Sequence, residues 1–368
     1  MTLRHHASLS VSRIVSTTRM LQRAVPDDRV RATRALPLGG LAMRIGMLIV
    51  TAACVAVGVA ATASAADTIK LRIGHITNLS SLTGKGSTTF AETAKTLSHG
   101  AIEVEIFPNG QLGGELEMLS QVRQGNLDLE LMGSGILASI EPAFSVTELP
   151  FVWKSSASAR SVLTGPIGRK ILDRLDAKGI KGLAFGAWGL RGFLTTNFAI
   201  TTPADIKGRK IRIIENQLYS RTIQALGGNP VPMAWPEVYS ALQQHTIDGV
   251  ETNYFGMADG KLQEVAKHLT ITNHIFTATA FVMNMDRFKA LSPELQGVLV
   301  KAAQAGGEAM FDGADKANQD AIAAMEKGGV TAVQPDIAPF KAAETPVQDY
   351  FAAQIGRDLL QEVVAAQN

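Results

Sequence analysis

From Lys70 onward, short strand-like runs alternate with amphipathic helical runs, an order that restricts the chain to an α/β architecture with helices covering a sheet. Lys70 to Gly74 reads as a strand. Ser87 is the expected N-cap of a helix whose Phe90, Ala94 and Leu97 share one face and which ends at His99-Gly100. Ile102, Val104 and Ile106 alternate with Glu103 and Glu105 before a Pro108-Asn109-Gly110 turn. A helix follows from Glu115 to Gln124, stopped by Gly125, and then Leu127, Leu129 and Leu131 alternate with Asp128 and Glu130. This βαβ repetition predicts parallel strands joined by right-handed crossovers. Strands are expected again at Lys181 to Trp188, Arg209 to Ile214 and Ile247 to Thr252, with a helix at Leu218 to Leu226 and another after Pro236. His268 to Ile275 and Thr277 to Met285 are two runs placed to cross between domains. Ser292-Pro293-Glu294 starts a helix that runs to Lys327 and stops at Gly328-Gly329. At about 35 residues it would be roughly 50 Å long, more than one small domain is wide, so it is expected to span two.

The N-terminus does not share this pattern. Residues 1–44 hold eight arginines and two acids, Asp27 and Asp28, without an apolar period; Ile45 to Ala61 is apolar, and Ala63-Ser64-Ala65 has the small-x-small form of a cleavage site. The segment reads as a secretory signal peptide, cleaved near Ala65/Ala66. Met43 is a candidate true start, which would make residues 1–42 an upstream extension. A transmembrane anchor is the rival reading, but the run of about 17 residues falls short of the roughly 20 needed to span a bilayer. A lipoprotein would keep Cys54 as its first residue, yet Thr51 stands where an aliphatic residue is expected and the apolar run continues past the cysteine.

Composition then has to be read twice. The whole chain is 46% hydrophobic and 18% charged with a net charge of +2, which excludes a disordered protein, and its one cysteine excludes a disulfide scaffold. Without residues 1–65, Lys+Arg falls from 35 to 27 and Asp+Glu from 33 to 31, a net charge of −4 on a body with no cysteine. That acidic body argues against a nucleic-acid partner. It also lacks the usual marks of catalysis: there is no GxSxG, HExxH, Walker loop or GxGxxG after a strand, and His75, His99, His245, His268 and His274 have no metal-ligand spacing. An exported α/β chain of this kind is expected to bind rather than to react, with no cofactor and no metal.

The motifs Phe107-Pro108-Asn109-Gly110-Gln111-Leu112-Gly113-Gly114-Glu115, Leu149-Pro150-Phe151, Thr202-Pro203-Ala204-Asp205-Ile206-Lys207-Gly208-Arg209-Lys210-Ile211-Arg212, Val231-Pro232-Met233-Ala234-Trp235 and Asp248-Gly249-Val250-Glu251 occur in one order. Together with Arg191 they resemble the dicarboxylate-binding-protein family, the solute-binding proteins of tripartite ATP-independent periplasmic (TRAP) transporters, over essentially the whole exported chain. The resemblance implies a two-domain, bilobal periplasmic-binding-protein fold, with residues 66–188 plus 277–317 as one domain and 189–276 plus 318–368 as the other. It implies a monomeric periplasmic receptor that captures a small organic acid in the interdomain cleft and hands it to a small and a large integral-membrane subunit. Two rivals stand beside this reading: an exported bilobal hydrolase or lyase acting on a carboxylate, and a sensor that uses the fold without transport.

Arg212 is the first candidate for the ligand contact. Ile211 and Ile213 point to one face of their strand and Arg212 to the other, and a planar guanidinium matches a carboxylate in a two-bonded fork. By resemblance it takes the substrate carboxylate; its rival role is an ordinary solvated or interdomain arginine. Arg191, read in a turn after the Lys181–Trp188 strand, is implied to face the cleft too, against the alternative of a salt bridge across the domain interface. Trp235 stands where the family lines the pocket with an apolar residue, against plain core packing. Asn216 either bonds ligand oxygens or caps a helix. Thr252 replaces the asparagine that many relatives carry after the motif glutamate, and Asn253 or Tyr254 is expected to compensate. His274 either joins a polar network near the cleft or is a satisfied core histidine. Glu115 and Glu117 are expected to favour their helix N-terminus rather than to touch a ligand hydroxyl.

Overall fold

The computed structural model describes residues 68–367, so the expected signal peptide, its cleavage site and Cys54 lie outside the described residues. Strand β1 (Ile69–Gly74) pairs in parallel with β2 (Ile102–Phe107) and β3 (Leu129–Gly133), as the βαβ repetition predicts. The next neighbours break that rule. Strand β4 (Ile180–Thr195) runs antiparallel to β9 (Phe276–Asn284), which is itself antiparallel to β3. Beyond them β5 (Lys210–Ile213) is parallel to both β6 (Asn229–Pro232) and β7 (Gly249–Asn253), while β4 is antiparallel to β7 and to β8 (His268–Thr270), and β10 (Thr331–Val333) is parallel to β8. The order β2-β1-β3-β9-β4-β7-β5-β6 is thus a mixed sheet with two parallel ends and an antiparallel middle.

Strand β4 is the largest departure from expectation. Read as ending at Trp188 with Arg191 in a turn, it continues for 16 residues: its first part pairs with β9 and its last five residues pair with β7. Glycines at 186, 189 and 192 look like turn signals in the sequence. Gly189 instead sits at a register shift with φ +88, a conformation that costs a side-chain-bearing residue energy, and a Cβ there would lie 2.4 Å from Asn318 Nδ2. The bulge lets a single strand pass from one half of the sheet to the other.

Helix α1 (Leu82–Leu97) starts earlier than the sequence suggested, because Ser81, not Ser87, accepts the capping bond from Gly84 N. Gly84 is there for close approach: a Cβ would sit 2.2 Å from Leu79 O. Ser87 lies inside the helix, where its hydroxyl bonds Gly84 O and faces His75 Nε2 at 3.2 Å. Phe90 of α1 packs on Phe281 of β9 at 5.4 Å between ring centres, and both rings are fully buried, worth about 1.5–3 kcal/mol each. Helix α2 (Glu115–Gln124) ends at left-handed Gly125, as expected.

Helix α3 (Gln217–Ala225) and helix α4 (Tyr254–Asp259) follow β5 and β7. Helix α5 (Pro293–Lys327) has the bounds read from its caps, Ser292 accepting from Leu295 N and Gly328 closing it, and it packs on α1, on β4 and on α4. Helix α6 (Ala338–Ile355) packs against α3 and residues 142–148, and α7 (Arg357–Ala365) completes the chain. Lys170 bonds Glu362 of α7, and Gln367 bonds Val152 O and Ser158, which ties this last segment to residues 152–170. Among the described residues no helix is long and apolar enough to cross a membrane.

Candidate functional site

Strand β5 places Ile211 and Ile213 in the core and turns Arg212 to the other face, as the alternation requires. There the guanidinium is 2% exposed, yet no carboxylate among the described residues forms an ion pair with it. Nε and Nη2 both donate to one carbonyl, Met233 O, at 3.0 and 2.7 Å, and Nη1 is buried with no hydrogen-bond partner. Trp235 lies against it, 5.4 Å from ring centre to guanidinium carbon. Burial, reinforced by the neighbouring Arg191 charge, pulls the Arg212 pKa down to about 10. A cation in this state holds an unmet demand for an anion.

Arg191 is the opposite case. On β4, register-paired with Asn253, it is 1% exposed and forms a two-bonded pair with Glu251 of β7, Nε to Oε1 at 2.5 Å and Nη2 to Oε2 at 2.7 Å. Nη2 also donates to Glu251 O and Nη1 to Thr277 Oγ1, both at 3.1 Å, and the guanidinium lies over Tyr219, 4.6 Å from the ring centre. Although burial works against it, the Glu251 carboxylate drives its pKa above the ordinary arginine value. The salt-bridge alternative therefore describes this residue, but the bridge joins adjacent strands of one sheet.

Both arginines border one pocket. Trp235, Trp188, Phe255, Ile76 and Ile214 give it apolar walls, with Trp188 and Phe255 in an edge-to-face pair at 6.3 Å. Thr77, Thr252, Asn253 and Glu115 supply the remaining polar side chains. Asn253 Oδ1 accepts Gly256 N, capping α4. Glu115 lies in the first turn of α2, as expected. Its carboxylate accepts Gly133 N at 2.7 Å and borders the cavity, and burial lifts its pKa to about 7 against the pull of that amide and of Arg212. Glu117 stays exposed.

Three other expected contacts lie elsewhere. Asn216 caps α3 by accepting Leu218 N at 2.6 Å, and its amide donates to Gly135 O. Tyr254 is buried behind β4, its hydroxyl donating to Asn273 Oδ1 at 2.8 Å and 3.1 Å from Arg191 O, and it borders a separate groove beside α5. It therefore does not compensate for Thr252 in the cavity. His274 stacks on Phe193 at 5.0 Å, bonds Thr272 Oγ1 through Nδ1 at 2.7 Å, and lies 3.5 Å from Glu251 on the far side of the Arg191 pair. Burial lowers its pKa to about 4, so the ring is neutral.

Apart from Trp188, which lies within antiparallel β4, the walls that sequence reasoning missed share a position. Ile76 and Thr77 follow β1, Ile214 follows β5, and Phe255 and Gly256 follow β7, all at or just past the carboxyl ends of parallel strands. That rule was available from the strand pattern. Away from the pocket lining, buried Tyr219 OH donates to Glu148, which also accepts Ser134 Oγ and Gly135 N, and beside a neighbouring groove Asn78 Nδ2 donates to Asp259. Among the described residues no group of three or more His, Cys, Asp or Glu side chains is arranged to hold a metal ion.

Residues 73–354 match the DctP family, described as bacterial extracellular solute-binding protein, family 7. The chain belongs to this family. Among its DctP-family relatives, the C4-dicarboxylate-binding periplasmic protein DctP of Rhodobacter capsulatus is 33% identical over 309 residues, 82% of this chain and 92% of that one. A TRAP periplasmic solute-binding protein from Xanthobacter autotrophicus Py2, solved with β-D-galacturonate, is 31% identical with a TM-score of 0.77, covering 80% of this chain and 99% of that one. Another from Polaromonas sp. JS666, bound to D-erythronate, is 30% identical with a TM-score of 0.78, covering 80% and 98%. These DctP-family neighbours share the α/β fold described above, and they are solute-binding proteins rather than enzymes.

Proposed function

We propose that this DctP-family protein is the periplasmic receptor of a TRAP transporter, exported by its N-terminal segment, and that it captures a small organic acid by pairing the acid's carboxylate with Arg212. One observation carries the reading: a buried guanidinium on a cavity wall, two of its nitrogens on a single carbonyl and the third unpartnered. The carboxylates bound by the neighbours, galacturonate and erythronate, support it. Residues 66–188 with 277–317 and residues 189–276 with 318–368 act as the two domains, with β4 and the segment between β8 and β9 as the hinge. The acid stabilises the closed state, which two membrane subunits then recognise, and it leaves chemically unchanged. The test is titration of the purified protein with organic acids. Arg212→Ala should weaken binding by about 2–5 kcal/mol, roughly 30-fold or more. Unchanged affinity for the best acid would sink the assignment, and chemical conversion of that acid on long incubation would favour an enzyme.

A further inference from the structure

Resting on that reading, we infer that the protein takes up a proton from solvent together with its anionic ligand, and that the carboxylate of Glu115 is the group that receives it. The pocket is balanced before anything binds. Arg191 is matched by Glu251 through two bonds of 2.5 and 2.7 Å, and the charge of Arg212 is opposed by Glu115, which lines the same pocket. A ligand carboxylate set against Arg212 therefore adds one uncompensated negative charge to a buried space, and such a charge is strongly disfavoured. A proton on Glu115 restores the balance: it forms one O–H bond on that carboxylate, is drawn from the surrounding buffer, and leaves the ligand ionised.

The bonding around three buried acids singles out Glu115 as the one that titrates. Glu130 of β3 is fully buried and neither of its oxygens has a hydrogen-bond partner, so it is already in its neutral form. Burial raises the pKa of Glu148 as well, but Tyr219 OH, Ser134 Oγ and Gly135 N all donate to that carboxylate and favour its charged form. Glu115 stands between them. One amide, Gly133 N, donates to it, Arg212 and more weakly Arg191 favour its charge, and Glu148 and Glu130 oppose it. Burial is the largest influence and sets its pKa at about 7, so a charge arriving nearby moves its titration across the neutral range. A ligand carboxylate on Arg212 cancels the stronger of the two helping cations and adds a like charge, and both changes favour the protonated acid. Glu251 and Glu215 also act on Arg212, but neither borders the pocket. His75 and His274, with pKa values lowered to about 4, stay neutral and do not compete for the proton.

The experiment is calorimetric titration of the purified protein in HEPES and in Tris, two buffers that release a proton with different heats. The probe is the tighter binder of D-galacturonate and D-erythronate, whose carboxylates are ionised throughout the range used. At pH 8 the parent should take up between about a half and one proton per ligand bound, read from the difference in heat between the buffers. Its affinity should fall at least about tenfold from pH 6 to pH 8.5. Glu115→Gln, neutral at every pH, should take up no proton and bind with an affinity that no longer falls over that range. Glu130→Gln replaces a group that is already neutral and should keep the parent's uptake. Binding without uptake in the parent, or uptake that survives Glu115→Gln, would overturn the inference while leaving the Arg212 reading standing wherever Arg212→Ala still weakens the complex. An affinity that ignores Arg212→Ala would instead remove the reading on which this inference rests.

Discussion

Arg191 and Arg212 are both buried, both border the cavity and lie close enough to affect each other's charge, yet their surroundings could hardly differ more. Arg191 has its carboxylate, a carbonyl, a hydroxyl and an aromatic face before any ligand arrives. Arg212 has one carbonyl and a tryptophan. The first niche is complete and stabilises the fold; the second is left incomplete, and in the proposed function the carboxylate of the ligand completes it. A receptor needs both kinds of site, because a cation can wait unpaired only where the surrounding structure is held by other means.

The sharpest way to break the comparison is to remove each arginine and measure the stability of the ligand-free protein. Arg191→Ala leaves Glu251 buried and uncompensated, so urea unfolding should show a loss of about 3–5 kcal/mol. Glu251→Gln added to it should restore part of that loss, giving a double-mutant energy well below the sum of the singles. Arg212→Met should behave in the opposite way. Its charge is disfavoured by burial, so the variant should unfold at the same urea concentration as the parent or higher, while losing carboxylate binding. Equal destabilisation by the two substitutions would erase the distinction.

Glu115 allows the comparison to be sharpened by pH. Its pKa is lifted to about 7 from an ordinary 4.5, with burial first among the causes and Glu148 adding to it, opposed by the Gly133 amide, Arg212 and Arg191; Glu130 lies beside it as well. A raised carboxylate pKa means that the fold prefers the protonated group. Its contribution is fully present below pH 4.5 and is lost as pH rises to about 7, a change of about 3 kcal/mol. Glu115→Gln should therefore gain on the parent by up to that amount between pH 4.5 and pH 8 in urea unfolding. His75 and His274, with pKa values lowered to about 4, act with the reverse sign: their contribution is lost as pH falls from 6.5 toward 4. Parallel pH profiles for parent and Glu115→Gln would show that the Glu115 carboxyl is not held in the state its surroundings imply.

Much of this molecule could be read from its residues, and the limits are physical. Helix α5 was legible to its last residue because its signals are local: a hydroxyl cap, a proline and an acid at the start and two glycines at the end. Arg212 was legible because strand alternation fixes which way a side chain points. Strand β4 was not, since a glycine that permits a bulge and one that makes a turn are the same letter, and only Asn318 and β9 packed against Gly189 decide between them. Nor was the saturation of Arg191, because its partner Glu251 comes from a strand distant in sequence and meets it through a pairing register that no local pattern encodes. Glu115 was legible as a helix-start acid but not as the acceptor of Gly133 N, because that bond is set by tertiary structure.

The smallest expected effect lies at the rim, where Asn78, just beyond β1, donates to Asp259 at the end of α4. In the proposed hinge motion this bond exists only in the closed state, so it belongs with the completed contacts of Arg191 but in a part of the molecule that must open. Two effects oppose each other there. A hydrogen bond to an ionised group is worth about 1.5–3 kcal/mol, but the Asp259 carboxylate is partly buried, and its pKa is raised by that burial, so opening relieves a desolvation cost. The net contribution to closure should be about 1 kcal/mol. Asn78→Ala should then speed ligand release about fivefold in stopped-flow measurements, with little change in the association rate and none in unfolding stability. Equal effects on release and on the stability of the ligand-free protein would instead place Asn78 among the residues that hold the fold, and move the boundary between completed and waiting contacts out to the rim.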